Sequence, residues 1–154
     1  MIFRSMPLNG MTGHEAGRVL LRQLYDGEIA VTERGKPYFV QGPHFSISHT
    51  KSRVFCVLSD YPVGIDAEEL TRDIELRLAD KILSPTEKQA FYDAEDQRST
   101  LLKFWVLKEA QAKATGEGLR GYPNHTNFSP HDPRLFEHEG HMVAIIEMRD
   151  ENAF

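Results

Sequence analysis

The sequence predicts an α+β fold. Two strand-like stretches, "HFSISHT" and "RVFCVLSD", lie close together before residue 61, and "HMVAIIEM" near the end is a further candidate strand. After Leu70 the apolar residues change from a spacing of two to the spacing of 3.6 that is typical of helices. Because strands and helices do not alternate regularly along the chain, we do not expect a repeating parallel β-α-β sheet.

The first part of the chain contains one predicted helix and three predicted strands. Val19, Leu20 and Leu24 lie at helical spacing in "EAGRVLLRQLY", which predicts an amphipathic helix over residues 15–25. The turn-rich piece "ERGKPYF" follows. The strands "HFSISHT" and "RVFCVLSD" are separated only by "KS", so they can pair as a hairpin, and "PVGIDAE" is the next strand.

The second part of the chain is mainly helical. Residues 73–83 place Ile74, Leu78 and Ile82 on one helical face. "SPTE" at 84–87 is typical of a helix start, with serine as the N-cap, proline in the first turn and a glutamate that reaches back to the cap. The strongest predicted helix is "RSTLLKFWVLKEAQAKAT", which ends before two closely spaced glycines.

Composition limits the classes of function. The 154 residues suit one domain with a real core. A net charge of -5 without a basic block argues against nucleic acid as the main partner, although not against a small phosphorylated ligand. No apolar run can span a bilayer and no signal-peptide core is present, so we expect a cytoplasmic protein without a membrane partner. The single cysteine, Cys56, lies in an apolar run, which indicates core packing in a reducing compartment.

Carboxylates at two places in the chain indicate a candidate site. Asp66 and Glu68 occupy alternate positions of the strand "PVGIDAE" and therefore point to the same face. Trp105, Glu109 and Lys113 are four residues apart and form one stripe of the strongest helix, from which a glutamate could face the strand pair. Three carboxylates at one point repel each other unless a cation lies between them. Oxygen ligands suit Mg²⁺, which commonly completes its shell with substrate phosphates.

Each of these residues also has an ordinary structural interpretation. Acids at the end of a strand can simply be solvated. Glu109 and Lys113 can form an exposed helical ion pair, worth about 0.3–0.5 kcal/mol. Considered singly, the residues do not decide between a metal site and a solvated surface.

Five short motifs follow one another in a characteristic order. They are "GKP" at 35–37, "FSISHT" at 45–50, "VGIDAE" at 63–68, "LSPTE" at 83–87 and "FWVLKEAQAKATGEGL" at 104–119. Together they make the chain resemble the 4′-phosphopantetheinyl transferases, and most closely the surfactin-synthetase-activating type, whose chain holds two similar halves. The resemblance covers roughly residues 14–129.

The resemblance implies one domain over residues 1–154, with two pseudo-symmetric halves that each pack a small antiparallel sheet on helices. Residues 1–62 would form a first half that is shorter than in larger relatives, and residues 63–154 the second half. We expect a monomer, with a dimer as the alternative.

The activity implied by the resemblance is that of the holo-acyl-carrier-protein synthase class. Such enzymes move the 4′-phosphopantetheine arm of coenzyme A to a serine of an acyl or peptidyl carrier protein. The reaction releases 3′,5′-adenosine bisphosphate and depends on Mg²⁺, with Mn²⁺ as a possible substitute.

The resemblance also implies roles for single residues. Asp66, Glu68 and Glu109 match the metal ligands, and Lys113 matches a lysine that contacts phosphate oxygens at the reacting centre. Asp66, Glu109 and Lys113 would therefore be catalytic, with Glu109 as the candidate general base. Trp105 matches a residue of the core. The implied coenzyme A contacts are Arg18, Lys36, Ser48, His49 and Lys113.

Two other classes of function remain open. One is a non-catalytic relative that binds coenzyme A or a carrier protein, against which the presence of all three acids and Lys113 counts. The other is a Mg²⁺-dependent phosphodiesterase or nuclease, against which the lack of a basic surface counts. Carrier proteins are acidic, so a docking surface would need local cations, although a solvated helix face explains the candidates equally well. By charge alone those candidates are Arg72, Arg77, Arg98, Lys103 and Arg120.

Overall fold

The computed structural model describes residues 1–118 and 126–149. The strands are β1 (Ile2–Pro7), β2 (Ile29–Val31), β3 (Pro37–Phe39), β4 (His44–His49), β5 (Arg53–Ser59), β6 (Val63–Glu69), β7 (Leu135–His138) and β8 (His141–Glu147). The helices in these ranges are α1 (Gly13–Leu24), α2 (Ala79–Ile82), α3 (Pro85–Asp93) and α4 (Gln97–Thr115), with a 3₁₀ turn at Leu76–Leu78 before α2. None of these helices is long and apolar enough to cross a membrane.

The strands form two three-stranded antiparallel sheets and a small hairpin. The first sheet has the order β1-β5-β4, the second has the order β6-β8-β7, and β2 pairs with β3. Small antiparallel sheets combined with helices confirm the class that the sequence predicts. All strands of the first sheet precede residue 62 and all strands of the second follow it. The pseudo-symmetry of the halves, their boundary and the shortening of the first stay predictions.

The two sheets pack face to face, and a helix covers the outer face of each. Between the sheets, Phe55 and Val57 of β5 pack with Val63 and Ile65 of β6. The outer face of the first sheet, which includes the predicted core residue Cys56, packs against α1. The outer face of the second sheet packs against α4. The candidate acids of β6 therefore lie on the face that α4 covers.

Several elements differ from the sequence prediction. The predicted hairpin, the last strand and the long helix are present. The segment 73–83 is not one helix, because Glu75 has extended backbone and no side-chain cap, so helical structure starts only after it. Strands β1, β2, β3 and β7 were not predicted. Each is at the edge of its sheet or in the small hairpin, where pairing with a partner strand decides the conformation.

The predicted helix start at Ser84 is also part of the core. Ser84 Oγ accepts from Glu87 N at 3.2 Å, and Glu87 Oε1 accepts from Ser84 N at 2.9 Å. Glu87 is fully buried, and its Oε1 lies 2.8 Å from Lys108 Nζ. A buried ion pair is costly unless its remaining groups are hydrogen-bonded. Phe128 N donates to Glu87 Oε2 at 2.7 Å and Lys108 Nζ donates to Thr126 O at 3.0 Å, so the pair also ties down this later segment.

Helix α4 contacts β6 directly at Gly64. A Cβ atom at Gly64 would lie 1.9 Å from the Ala110 carbonyl oxygen and 2.5 Å from Ala114 N. Only a glycine on the strand and small residues on the helix permit this approach. The strand and the helix therefore touch through their backbones, and this contact sets the distance between the side chains on either side of it.

Strand β6 and helix α4 also run alongside each other over similar lengths. From Gly64 to Glu68 the strand advances about 13 Å, and from Ala114 back to Trp105 the helix covers about 13.5 Å. Asp66 thereby reaches Lys113, and Glu68 reaches Trp105. Residues later in β6 therefore contact residues earlier in α4.

We predict that Gly64→Ala destabilises the protein by about 1–3 kcal/mol or more, because the new methyl group must push α4 away from β6. For a chain of this size that lowers the melting temperature by about 2–4 °C per kcal/mol. Thermal unfolding followed by circular dichroism measures the change.

Gly17→Ala is the matched control for this substitution. There the nearest atom is the Cγ2 methyl group of Ile47 at 2.9 Å, so the new methyl group meets a side chain and not backbone. Alanine also favours the helix by up to about 1 kcal/mol. We expect little net change for Gly17→Ala, and an unchanged melting temperature for Gly64→Ala would contradict the proposed contact.

Candidate active site

Asp66 is a buried carboxylate with one oxygen unpaired. Its Oδ1 lies 3.3 Å from Lys113 Nζ and accepts a hydrogen bond from Ser48 Oγ at 3.4 Å. Its Oδ2 is buried without a hydrogen-bond partner among the described residues. A buried carboxylate oxygen without a partner is costly, which indicates a position that a ligand can complete.

Negative charge accumulates around Asp66. Burial raises the pKa of Asp66 to about 7; Lys113 lowers it, while the charges of Glu68 and Glu109 raise it further. Burial and the charge of Glu68 also raise the pKa of Glu109, against the opposing effect of Lys113. The charges of Glu68 and Glu109 therefore act on Asp66, and the meeting of all three acids at one point stays a prediction.

Lys113 joins three elements at this point. Its Nζ donates to Ile65 O at 3.0 Å, to Ile47 O at 3.3 Å and to Asp66 Oδ1 at 3.3 Å. The side chain is one-third exposed, and it lines the cavity next to the site. Its predicted contact with substrate phosphate stays a prediction, and the geometry shows in addition that it links β4, β6 and α4.

Glu68 is held by two donors that the sequence prediction did not assign to it. Its Oε2 accepts from Arg72 Nη1 at 2.8 Å and from Trp105 Nε1 at 3.1 Å. The Arg72 guanidinium also lies over the Trp105 ring, 5.5 Å from its centroid. Trp105 packs against the core as predicted, but it is only partly buried and also contacts the site. Its four-residue spacing from Glu109 was the signal that could have indicated this role.

The geometry and the chemistry of the three carboxylates both bear on whether they can hold a metal ion. In residues 1–118 and 126–149, no three His, Cys, Asp or Glu side chains are already arranged as a metal-binding group. Their chemistry nevertheless fits a hard divalent cation. All donors are oxygens, Asp66 Oδ2 is unpaired, and the charges of Glu68 and Glu109 raise the pKa of Asp66. Metal ligation by Asp66, Glu68 and Glu109 stays a prediction.

Serine side chains of β4 accept hydrogen bonds from backbone N–H groups of β6, which is an edge strand of its sheet. Ile65 N donates to Ser46 Oγ at 3.1 Å, and Ala67 N donates to Ser48 Oγ at 3.2 Å. The hydrogen bond from Ser48 to Asp66 then fixes the carboxylate from the same side. Ser48 is buried, so the structure assigns it a joining role between the sheets. Its predicted coenzyme contact stays a prediction.

His49, at the end of β4, lies against the first turn of α1. A Cβ atom at Gly13 would be 2.1 Å from His49 Nδ1, so the absence of a side chain at Gly13 leaves room for the ring. The start of α1 is capped by Thr12 and carries Glu15 in its first turn, so this helix end does not by itself favour an anion. Arg18, further along α1, makes no hydrogen bond or ion pair with the described residues. The predicted coenzyme contacts of His49 and Arg18 stay predictions.

Next to the acids is an open cavity of about 280 Å³. Its lining includes Arg34, Lys36, Phe45, Ile47, Glu109 and Lys113. Lys36 Nζ donates to Val63 O at 3.4 Å, to Ala114 O at 3.3 Å and to Lys113 O. Burial lowers the pKa of Lys36. Its ammonium group therefore occupies the carbonyl end of α4, and its predicted nucleotide contact stays a prediction.

Comparison with known proteins agrees with the motif order. Residues 62–141, slightly more than half of the chain, match the family model of the 4′-phosphopantetheinyl transferase superfamily. This range contains β6 and α4, and therefore all three acids and Lys113.

Three curated relatives carry the name 4′-phosphopantetheinyl transferase. Psf-1 of Bacillus pumilus is 39% identical over 116 residues, which cover 67% of this chain and 49% of that protein. HetI of Nostoc sp. is 31% identical over 123 residues, which cover 68% of this chain and 52% of that protein. Gsp of Aneurinibacillus migulanus is 34% identical over 90 residues, covering 56% and 37%. The chain thus spans about half the length of these relatives, or less. By this family match, the chain belongs to the 4′-phosphopantetheinyl transferase superfamily.

Proposed function

We propose that the chain transfers the 4′-phosphopantetheine arm of coenzyme A to a serine of an acyl or peptidyl carrier protein. The observation that carries this proposal is the contact of Asp66 with Lys113, which lines an open cavity together with Glu109, in the range that matches the family. Because the site combines acids and a lysine at one place, it suits the transfer of a phosphoryl-linked group.

Coenzyme A would enter from the cavity that Glu109 and Lys113 share. The basic side of this cavity, with Arg34 and Lys113, suits the charge of the coenzyme. His49, next to Gly13 at the start of α1, would contact a phosphate group of the same molecule. The cavity therefore offers positive charge on the coenzyme side and carboxylates on the reacting side.

In the reaction, the serine oxygen of the carrier forms a bond to the β-phosphorus of coenzyme A. The bond from that phosphorus to the leaving oxygen breaks, and 3′,5′-adenosine bisphosphate departs. Glu109 accepts the serine proton, directly or through a water molecule, and its raised pKa favours this role near neutral pH. Lys113 offsets negative charge that develops on the departing pyrophosphate oxygen.

Asp66, Glu109 and Glu68 would hold Mg²⁺, or Mn²⁺ in its place. When bound, the ion supplies charge neutralisation to the pyrophosphate. Asp66 contributes most directly, since its Oδ2 is buried and unpaired. Lys113 and Ser48 keep that carboxylate in place through its other oxygen.

We predict that the protein modifies a carrier in a direct assay. Apo carrier protein, coenzyme A and Mg²⁺ are incubated and the intact mass of the carrier is measured. Transfer of the arm adds about 340 Da. Glu109→Gln should slow transfer by about 10²–10⁴-fold, because it removes the proton acceptor.

Glu95→Gln, a change at an exposed glutamate, is the matched control and should leave the rate unchanged. Absence of the mass increase with several carriers, despite measured coenzyme binding, would favour the non-catalytic alternative. A full rate for Glu109→Gln would contradict the assigned base.

Metal binding should weaken as pH falls through 7. The raised pKa of Asp66, about 7, means that this carboxyl is mostly protonated at pH 6 and must lose its proton to bind a cation. Between pH 8 and pH 6 we expect the Mg²⁺ affinity to fall about tenfold for this single group. The raised pKa of Glu109 acts in the same direction.

Isothermal titration calorimetry at both pH values measures this effect. Asp60→Asn, at an exposed acid, should retain the pH dependence, whereas Asp66→Asn should lose binding at both values. Equal wild-type affinities at pH 6 and pH 8 would disprove the assignment of Asp66.

Coenzyme binding should depend on the space at Gly13. Gly13→Ala would displace the His49 ring, and the loss of one phosphate contact should weaken coenzyme A binding by about 5–30-fold, equivalent to about 1–2 kcal/mol. His49→Ala should have a similar effect, and the double variant should be no weaker than either single one.

Calorimetry with coenzyme A measures these affinities, and a melting curve checks that each variant is folded. Gln23→Ala, at an exposed position of α1, serves as the control. Additive losses in the double variant would show that Gly13 acts independently of His49.

A further inference from the structure

We propose that Arg72 and Trp105 form a latch on Glu68 that neutralises the acid cluster without metal and is released when a divalent cation binds. This latch consists of the Arg72 guanidinium, the Trp105 indole N–H and Glu68 Oε2. The inference rests on the proposed function, because it concerns the cation that the same acids would hold.

The first argument is the geometry of Glu68. One oxygen, Oε2, accepts from both Arg72 at 2.8 Å and Trp105 at 3.1 Å. The guanidinium also packs over the indole ring at 5.5 Å, so the two donors support each other. This arrangement directs one oxygen of Glu68 to protein donors.

The second argument is the charge of Arg72. Besides pairing with Glu68, Arg72 acts on the helix carboxylate, since its charge lowers the pKa of Glu109. Its positive charge thus affects two of the three acids that would ligate the ion. Arg72 therefore provides part of the neutralisation that a bound cation would provide.

The third argument is that Arg72 can leave. Its side chain is 37% exposed and that of Glu68 is 22% exposed, so solvent screens their attraction. Arg72 also lines open cavities on two sides, one with His49 and the other with Arg77 and Lys81. A partly exposed ion pair beside open space is readily exchanged for a divalent cation, whose charge is twice as large.

The latch predicts that removal of the guanidinium tightens metal binding. For Arg72→Gln we expect about fivefold tighter binding of Mn²⁺, because the cation no longer competes with arginine for Glu68. Trp105→Phe removes only the N–H donor and keeps an aromatic ring, so we expect a smaller change in the same direction. Mn²⁺ alone, without coenzyme A or carrier, is titrated into the full chain and followed by calorimetry and by electron paramagnetic resonance.

Arg77→Gln is the matched control. It makes the same change of charge at an exposed arginine that pairs with Glu75 and not with Glu68, and its Mn²⁺ affinity should equal that of the wild type. A comparable gain for Arg77→Gln and Arg72→Gln would indicate a general charge effect and would overturn the latch.

The tryptophan supplies a second readout. Trp105 is the only tryptophan in the chain, so its fluorescence reports the indole next to Glu68. Release of the latch should shift the emission wavelength, and the Mn²⁺ concentration at half of this shift should equal the midpoint of the calorimetric titration. The emission of metal-free Arg72→Gln should already lie near the shifted wavelength. Metal binding without any change in emission would overturn the latch.

The outcomes separate the latch from the transfer reaction. If Arg72→Gln binds Mn²⁺ more tightly but no carrier gains mass, the latch is supported and the proposed transfer fails. If carriers gain mass but Arg72→Gln binds Mn²⁺ no more tightly than the wild type, the latch is overturned and the transfer stands. If neither the wild type nor Arg72→Gln binds Mn²⁺, the latch is also overturned.

Discussion

The backbone contact between β6 and α4 at Gly64 is the constraint on which the site depends. Without a side chain at this position, the strand approaches the carbonyl of Ala110 and the amide of Ala114 directly. This approach sets the distance between facing side chains on either side, so that Asp66 reaches Lys113 and Glu68 reaches Trp105. A larger residue would separate the two surfaces that together make the site.

Charge around the site is balanced by cations that come from different elements. Lys113 of α4 contacts Asp66, and Arg72, just after β6, contacts Glu68. One carboxylate oxygen, Asp66 Oδ2, still has no partner among the described residues. Asp66 and Glu68 are therefore held in place by the protein, and the acids remain incompletely neutralised, which is the condition under which a site favours an added cation.

Hydrogen bonds between the two sheets support the site from the side of β4. The hydroxyl groups of Ser46 and Ser48 accept hydrogen bonds from backbone N–H groups of β6. The Ser48 hydroxyl also donates a hydrogen bond to Asp66. These hydrogen bonds satisfy an edge strand that would otherwise expose unpaired donors. The same hydroxyl thus takes part in folding and in the orientation of a candidate ligand, which explains why a short polar residue suits the inner face of β4.

The sequence by itself determined the helix start at Ser84, the long helix, and the shared face of Asp66 and Glu68, because these follow from local periods and caps. It also indicated that Glu109 could join them. Only the tertiary structure decided that Arg72 and Trp105 hold Glu68, that Lys36 binds the carbonyl end of α4, and that Ser48 joins two sheets. Most of these contacts connect residues far apart in the chain, and a local period cannot specify which distant groups will meet when the two sheets and α4 pack together.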